Sequence, residues 1–214
     1  MPVILCFGDS NTWGTVPEST RRYGVEERWP TRLRHCLPDS FELIEEGLSG
    51  RTTVHDDPFV DGRNGLQYLK PCLASHTPDL VIIMLGTNEL KHHFALSAYD
   101  ISLGVSRLVT ETLAFKSPAK DTTPQVLLIS PPPIYEVGYT AAMFAGGEAK
   151  SQELAKYYKR CADDLGCAYF DAGSVVVSCE REGIHWQAEQ HQRFADALAV
   201  EVQALFAHEQ LTNR

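Results

Sequence analysis

Two short segments, one near each end of this 214-residue chain, hold residue types that can do chemistry together. Gly8-Asp9-Ser10 follows the apolar run Val3-Ile4-Leu5-Cys6-Phe7. Far along the chain, Glu182-Gly183-Ile184-His185 sets an acid three residues before a histidine, with a glycine between them that lets the loop curl back. A serine hydroxyl attacks a carbonyl only when a base takes its proton and donors hold the oxyanion that forms. Histidine is such a base when a third group orients its ring. Taken alone, Gly8-Asp9-Ser10 reads more readily as a polar turn than as a nucleophile, so the rest of the chain must supply the other parts.

Two further loops offer donors. Glu46-Gly47-Leu48-Ser49-Gly50-Arg51-Thr52-Thr53 places Gly50 where a backbone N–H can approach a ligand without a Cβ in the way. Gly86-Thr87-Asn88-Glu89 offers the Asn88 side-chain amide. Competing chemistries find no support. Gly-x-Ser-x-Gly, the P-loop and the Gly-x-Gly-x-x-Gly turn are all absent. Glu45 and Glu46 are neighbours in an extended segment and point to opposite faces, against a glycosidase pair. His92-His93 lack a His-Glu-x-x-His pattern and read as surface or entrance residues, while His191 falls inside the last helix as packing or surface. No metal and no cofactor is expected.

The elements that must position these residues alternate. Apolar strand-like runs cover 3–7, 41–45, 79–85, 125–129 and 167–170. Helical spacing covers 29–37, 62–75, 97–115, 148–165 and 187–207, with Pro30 in a first turn and Ser97 as an N-cap. Five strands alternating with helices predict an α/β fold, a three-layer α/β/α sandwich on a five-stranded parallel sheet. Ligands of such sheets gather at the carboxyl ends of the strands, where each of these loops begins. The long stretch from Pro131 to Gly147 holds Tyr135, Tyr139 and Phe144 and has the length of a binding loop. These aromatics and Trp13 are candidates to line a substrate pocket, with plain packing the equal alternative.

Together the four blocks resemble those of the SGNH hydrolases, also called the GDSL esterase/lipase family, in family order over nearly the whole chain. The stretches 45–53, 81–88 and 170–174 are most similar to the bacterial arylesterase/acyltransferase branch. The resemblance implies Ser10 as nucleophile, His185 as base and Glu182 as orienting acid. It implies an oxyanion hole from the Ser10 and Gly50 N–H groups and the Asn88 amide, and a structural hydrogen-bonding role for Asp9. The family usually has aspartate where this chain has Glu182, so Glu180 and Asp171 stay open as the triad acid, and Gly47 as the block glycine. The fold implied is flavodoxin-like. The activity implied is hydrolysis of short-chain aryl or alkyl carboxylic esters through an acyl-enzyme, with acyl transfer to alcohols or peroxide. A carbohydrate O-deacetylase or thioesterase with the same triad is the nearest alternative, and a non-catalytic flavodoxin-like binding module the more distant one. The branch also implies a homo-oligomer.

Composition sets the outer bounds. The length suits a single domain over residues 1–214. A net charge of −9, with no basic patch, argues against nucleic acid or an anionic membrane as partner, while the small-molecule ester partner is what the resemblance implies. No apolar run approaches the ~20 residues of a membrane span. Met1-Pro2 leads straight into the first strand, and Cys6, Cys36, Cys72, Cys161, Cys167 and Cys179 show no paired spacing. Reduced thiols and a cytoplasmic location are therefore expected.

Overall fold

The computed structural model describes residues 1–117 and 119–212. In chain order the elements are β1 (Val3–Gly8), α1 (Ser10–Trp13), α2 (Trp29–Cys36), β2 (Glu42–Gly47), α3 (Gly65–His76) and β3 (Leu80–Met84). They continue as α4 (Ala98–Leu113), β4 (Gln125–Ser130), α5 (Gly147–Leu165), β5 (Ala168–Asp171) and α6 (Ala188–Thr212). The strands form one parallel sheet in the order β2-β1-β3-β4-β5, the flavodoxin-like order in which ligands bind where the winding reverses.

Strand alternation sorts the core onto two faces. Leu5, Phe7, Val81 and Ile83 pack with Leu69 of α3, Val105 of α4 and Tyr158 of α5. Ile4, Cys6, Ile82 and Met84 face the other way, onto Trp29 and Leu33 of α2 and Phe194 and Leu198 of α6. The central strands are buried on both faces, which is why they read as unbroken apolar runs. Each fully buried Leu or Ile contributes roughly 1.5–3 kcal/mol over its exposed state.

Register decides where the loops emerge. Gly8 pairs with Gly47 on one side and Met84 on the other, so β1, β2 and β3 end at one level. Their three following loops therefore leave the same sheet edge side by side. Helix starts follow local capping. Ser97 Oγ accepts from the Asp100 N–H at 3.1 Å while the Asp100 carboxylate accepts from the Ser97 N–H at 3.0 Å, a reciprocal cap for α4. Asn64 accepts from the Leu66 N–H at 3.1 Å, so α3 begins at Gly65, within the 62–75 stretch where the leucine spacing places a helix.

Candidate active site

Ser10 is the first residue of α1, one turn of helix set directly on the end of β1. Asp9 caps that turn, its carboxylate accepting from the Asn11 N–H at 3.0 Å. Gly183 adopts φ +94°, and an added Cβ would meet the Tyr135 carbonyl at 2.0 Å. Only glycine fits there, and the turn it makes carries His185 back toward Glu182. His185 Nδ1 lies 2.5 Å from Glu182 Oε1, and His185 Nε2 lies 3.0 Å from Ser10 Oγ. A carboxylate accepting at Nδ1 places the ring proton there and leaves Nε2 to accept from the serine hydroxyl.

The other two carboxylates are elsewhere. Asp171 accepts from the Gly173 N–H at 2.9 Å and from Ser130 Oγ at 3.2 Å, and Glu180 is exposed. Glu182 has no exposed surface. Burial alone would raise its pKa, but hydrogen bonds and charge from His185, with the Tyr139 hydroxyl donating at 3.2 Å, outweigh that and hold it below the usual range. The acid is thus ionised and aimed.

Asn88 leaves β3 on the adjacent loop, and its Nδ2 donates to the Arg51 carbonyl at 3.0 Å. That bond uses one of two amide protons and fixes the plane of the other. Gly50 sits at φ +82°, and its N–H has no protein acceptor among the described residues. The Ser10 N–H, in the first turn of α1, has no intrahelical partner. Gly47 instead ends β2 and lies outside the cavity.

Ser10, His185, Gly50 and Asn88 all border one cavity of about 530 Å³. Trp13 borders it too, its ring held by the Arg22 guanidinium 5.0 Å away, as do Tyr139 and Phe144 of the long loop. Tyr135 does not; its N–H is bonded to the Gly183 carbonyl at 3.0 Å. His92 and His93 are exposed. His191 is buried beside Trp29, accepting from its N–H at 3.3 Å, and burial pushes its pKa down to about 3, so it stays neutral.

Comparison with known proteins gives this arrangement a family. The profile of the GDSL-like lipase/acylhydrolase family matches residues 6–198. The chain belongs to that family. Among solved structures, this GDSL-like protein is similar to a carbohydrate acetylesterase from Sinorhizobium meliloti, with 42% identity, a TM-score of 0.93 and coverage of 96% of this chain and 100% of that one. It is similar also to the M. smegmatis aryl esterase, with 44% identity, a TM-score of 0.92 and the same coverage. An acetylxylan esterase from Xylanibacter ruminicola is 25% identical over 93% of this chain and 42% of its own length. The chain spans about two fifths of the length of the curated relatives it matches.

Three features of this GDSL-like site escaped the sequence reading. Tyr139 appeared only as an aromatic of a long loop, yet its hydroxyl donates to Glu182. Thr140 donates to the Glu182 carbonyl, so the long loop holds the acid from two points. Arg51 is almost wholly buried, donates to the Gly8 carbonyl at 3.1 Å and to the Glu46 carbonyl, and stacks 4.1 Å over Phe7. It ties the ends of β1 and β2 together beneath the site. An arginine inside a glycine-rich block was a visible signal for such a clamp, but its partners are main-chain atoms that no motif displays.

Proposed function

We propose that the chain is a serine carboxylic-ester hydrolase acting on small acyl esters. The observation that carries this reading is the Glu182–His185–Ser10 hydrogen-bond chain opening onto a partly apolar cavity. Ser10 Oγ attacks the ester carbonyl carbon as its proton passes to His185 Nε2. The carbonyl oxygen becomes an oxyanion held by the Ser10 and Gly50 N–H groups and the Asn88 amide. The tetrahedral intermediate collapses, the C–O bond to the alcohol breaks, and His185 returns its proton to the leaving oxygen. Water then attacks the acyl-enzyme by the same steps and frees the acid, with Glu182 stabilising the imidazolium each time.

Trp13, Leu48, Met143 and Phe144 give the cavity an apolar side that suits an aryl or alkyl group. An alcohol or peroxide seated there in place of water would take the acyl group, which makes acyl transfer part of the proposal. A carbohydrate O-deacetylase is the second reading, supported by likeness to the S. meliloti acetylesterase. A single-domain, cytoplasmic homo-oligomer completes the proposal. No helix among the described residues is long and apolar enough to cross a membrane, and all six cysteines are free thiols.

The test is a serine-directed organophosphonate. Labelling of the wild type and not of Ser10→Ala supports the enzyme, whereas folded wild type that takes no label points to a binding module. Rates on aryl acetates, acetylated sugars and acyl thioesters then rank the substrates. Added alcohol should divert product from acid to new ester.

A further inference from the structure

Away from the ester site, a second group of chemically able side chains converges. Cys72 and His76 stand four residues apart on α3, hence on one helix face. Glu46, near the end of the edge strand β2, reaches the same place, with His76 Nε2 3.3 Å from Glu46 Oε1. The Cys72 sulfur, the His76 nitrogen and a Glu46 oxygen all lie within 4.8 Å of one another. None of the three borders the cavity at Ser10, and the ester reaction uses none of them.

Sulfur, imidazole nitrogen and carboxylate oxygen form the donor set of a borderline-soft divalent ion. Zinc binds nitrogen and oxygen at about 2.0–2.2 Å in a tetrahedron, which sets two such donors roughly 3.3 Å apart. The Glu46–His76 separation already has that value. The other Glu46 oxygen lies 3.9 Å from the Arg51 guanidinium, which orients the carboxylate and leaves Oε1 toward the histidine. Thiolate and carboxylate together balance the ion's two charges. The Glu46 and His76 side chains retain 29% and 28% exposure, so water can reach a fourth position.

We infer that Glu46, Cys72 and His76 form a binding site for a zinc-class divalent cation, with water as the fourth ligand. Magnesium and calcium take oxygen ligands, so a sulfur, nitrogen and oxygen donor set excludes them as occupants.

The full chain, stripped with a chelator, is titrated with Zn²⁺ against a chromophoric chelator and with Co²⁺ as a spectroscopic probe. The expected result is one tight ion per chain, unaffected by excess Mg²⁺, with thiolate-to-cobalt charge-transfer absorption. Cys72→Ser should abolish that absorption, and both it and His76→Ala should weaken Zn²⁺ binding at least ~10–100-fold. Cys36→Ser is the control and should change neither. Both ligand variants should keep ester hydrolysis, which shows that they fold and separates this result from the ester reading. Wild type without charge-transfer absorption, or Cys72→Ser that keeps it, overturns the site.

Discussion

Glu182 is buried, yet it is kept ionised by His185 and Tyr139 and holds the imidazole from behind. Glu182→Gln removes the charge that stabilises the imidazolium while preserving the shape. The expected result is a fall of about 10³–10⁴ in kcat on an aryl acetate, with KM and circular dichroism little changed. Activity within tenfold of wild type would move the orienting role to another residue. Asn88→Ala deletes one oxyanion donor and should lower kcat by about 10²–10³. Because the Asn88 amide also bonds the Arg51 carbonyl, a thermal melt should accompany the kinetics. The proposed roles were legible at the residue scale because a serine nucleophile needs particular functional groups, and Ser10, Asn88 and His185 carry them in side chains. Tyr139 and Thr140 were not legible, because a hydroxyl that steadies another residue has no required spacing from it.

The site is assembled from the ends of elements. The turn at Gly183 sets His185 over Ser10, so Gly183→Ala tests whether that turn, rather than the residues alone, makes the site. The new Cβ would strike the Tyr135 carbonyl, in a backbone conformation that side chains rarely adopt. The chain must move by an ångström or more. We expect kcat to fall about 10²-fold or more from misplacement of the imidazole, with a stability loss of roughly 1–3 kcal/mol in urea unfolding. An alanine variant with wild-type kinetics would show that the turn is not constrained. Strands and long helices were readable because the apolar period repeats several times within each. α1 escaped, since four residues hold barely one turn and Gly8-Asp9-Ser10 had only turn chemistry to show. What makes it a helix is the Asp9 cap and its seat on β1.

Across the whole molecule, the buried acids Asp9 and Glu89 couple stability to pH. Burial raises Glu89 from an ordinary 4.5 to about 7 and Asp9 from 3.8 to about 6, against the backbone hydrogen bonds that each accepts. Between those values the folded state binds more protons than the unfolded chain, so stability falls as pH rises. The loss begins near pH 4, is complete above about pH 7, and amounts to a few kcal/mol. Glu89 Oε1 accepts from the Thr53 N–H while Oε2 is buried without a hydrogen-bond partner among the described residues. Glu89→Gln can keep the first contact and removes the titration. Its urea midpoint should change less than the wild type's between pH 5 and pH 8. Parallel pH profiles for the two proteins would show that Glu89 does not carry the effect.

The alternation of strand and helix and the parallel sheet were determined by sequence, because apolar period is a property of residue type, and the order of the four blocks singled out Ser10, His185 and Asn88 as candidates while leaving Gly47 beside Gly50. Sequence could not choose among Glu182, Glu180 and Asp171, since each is a carboxylate within reach along the chain. In three dimensions the Gly183 turn brings Glu182 to 2.5 Å from His185 Nδ1 while Asp171 is engaged by Gly173 and Ser130, which supports Glu182 as the proposed acid. Likewise only the folded sheet, ending β1, β2 and β3 at one level, brings residues 10, 50, 88 and 185 around one cavity. Hydrogen bonds reach about 3 Å, and chain distance says little about which atoms come that close once the strands are in register.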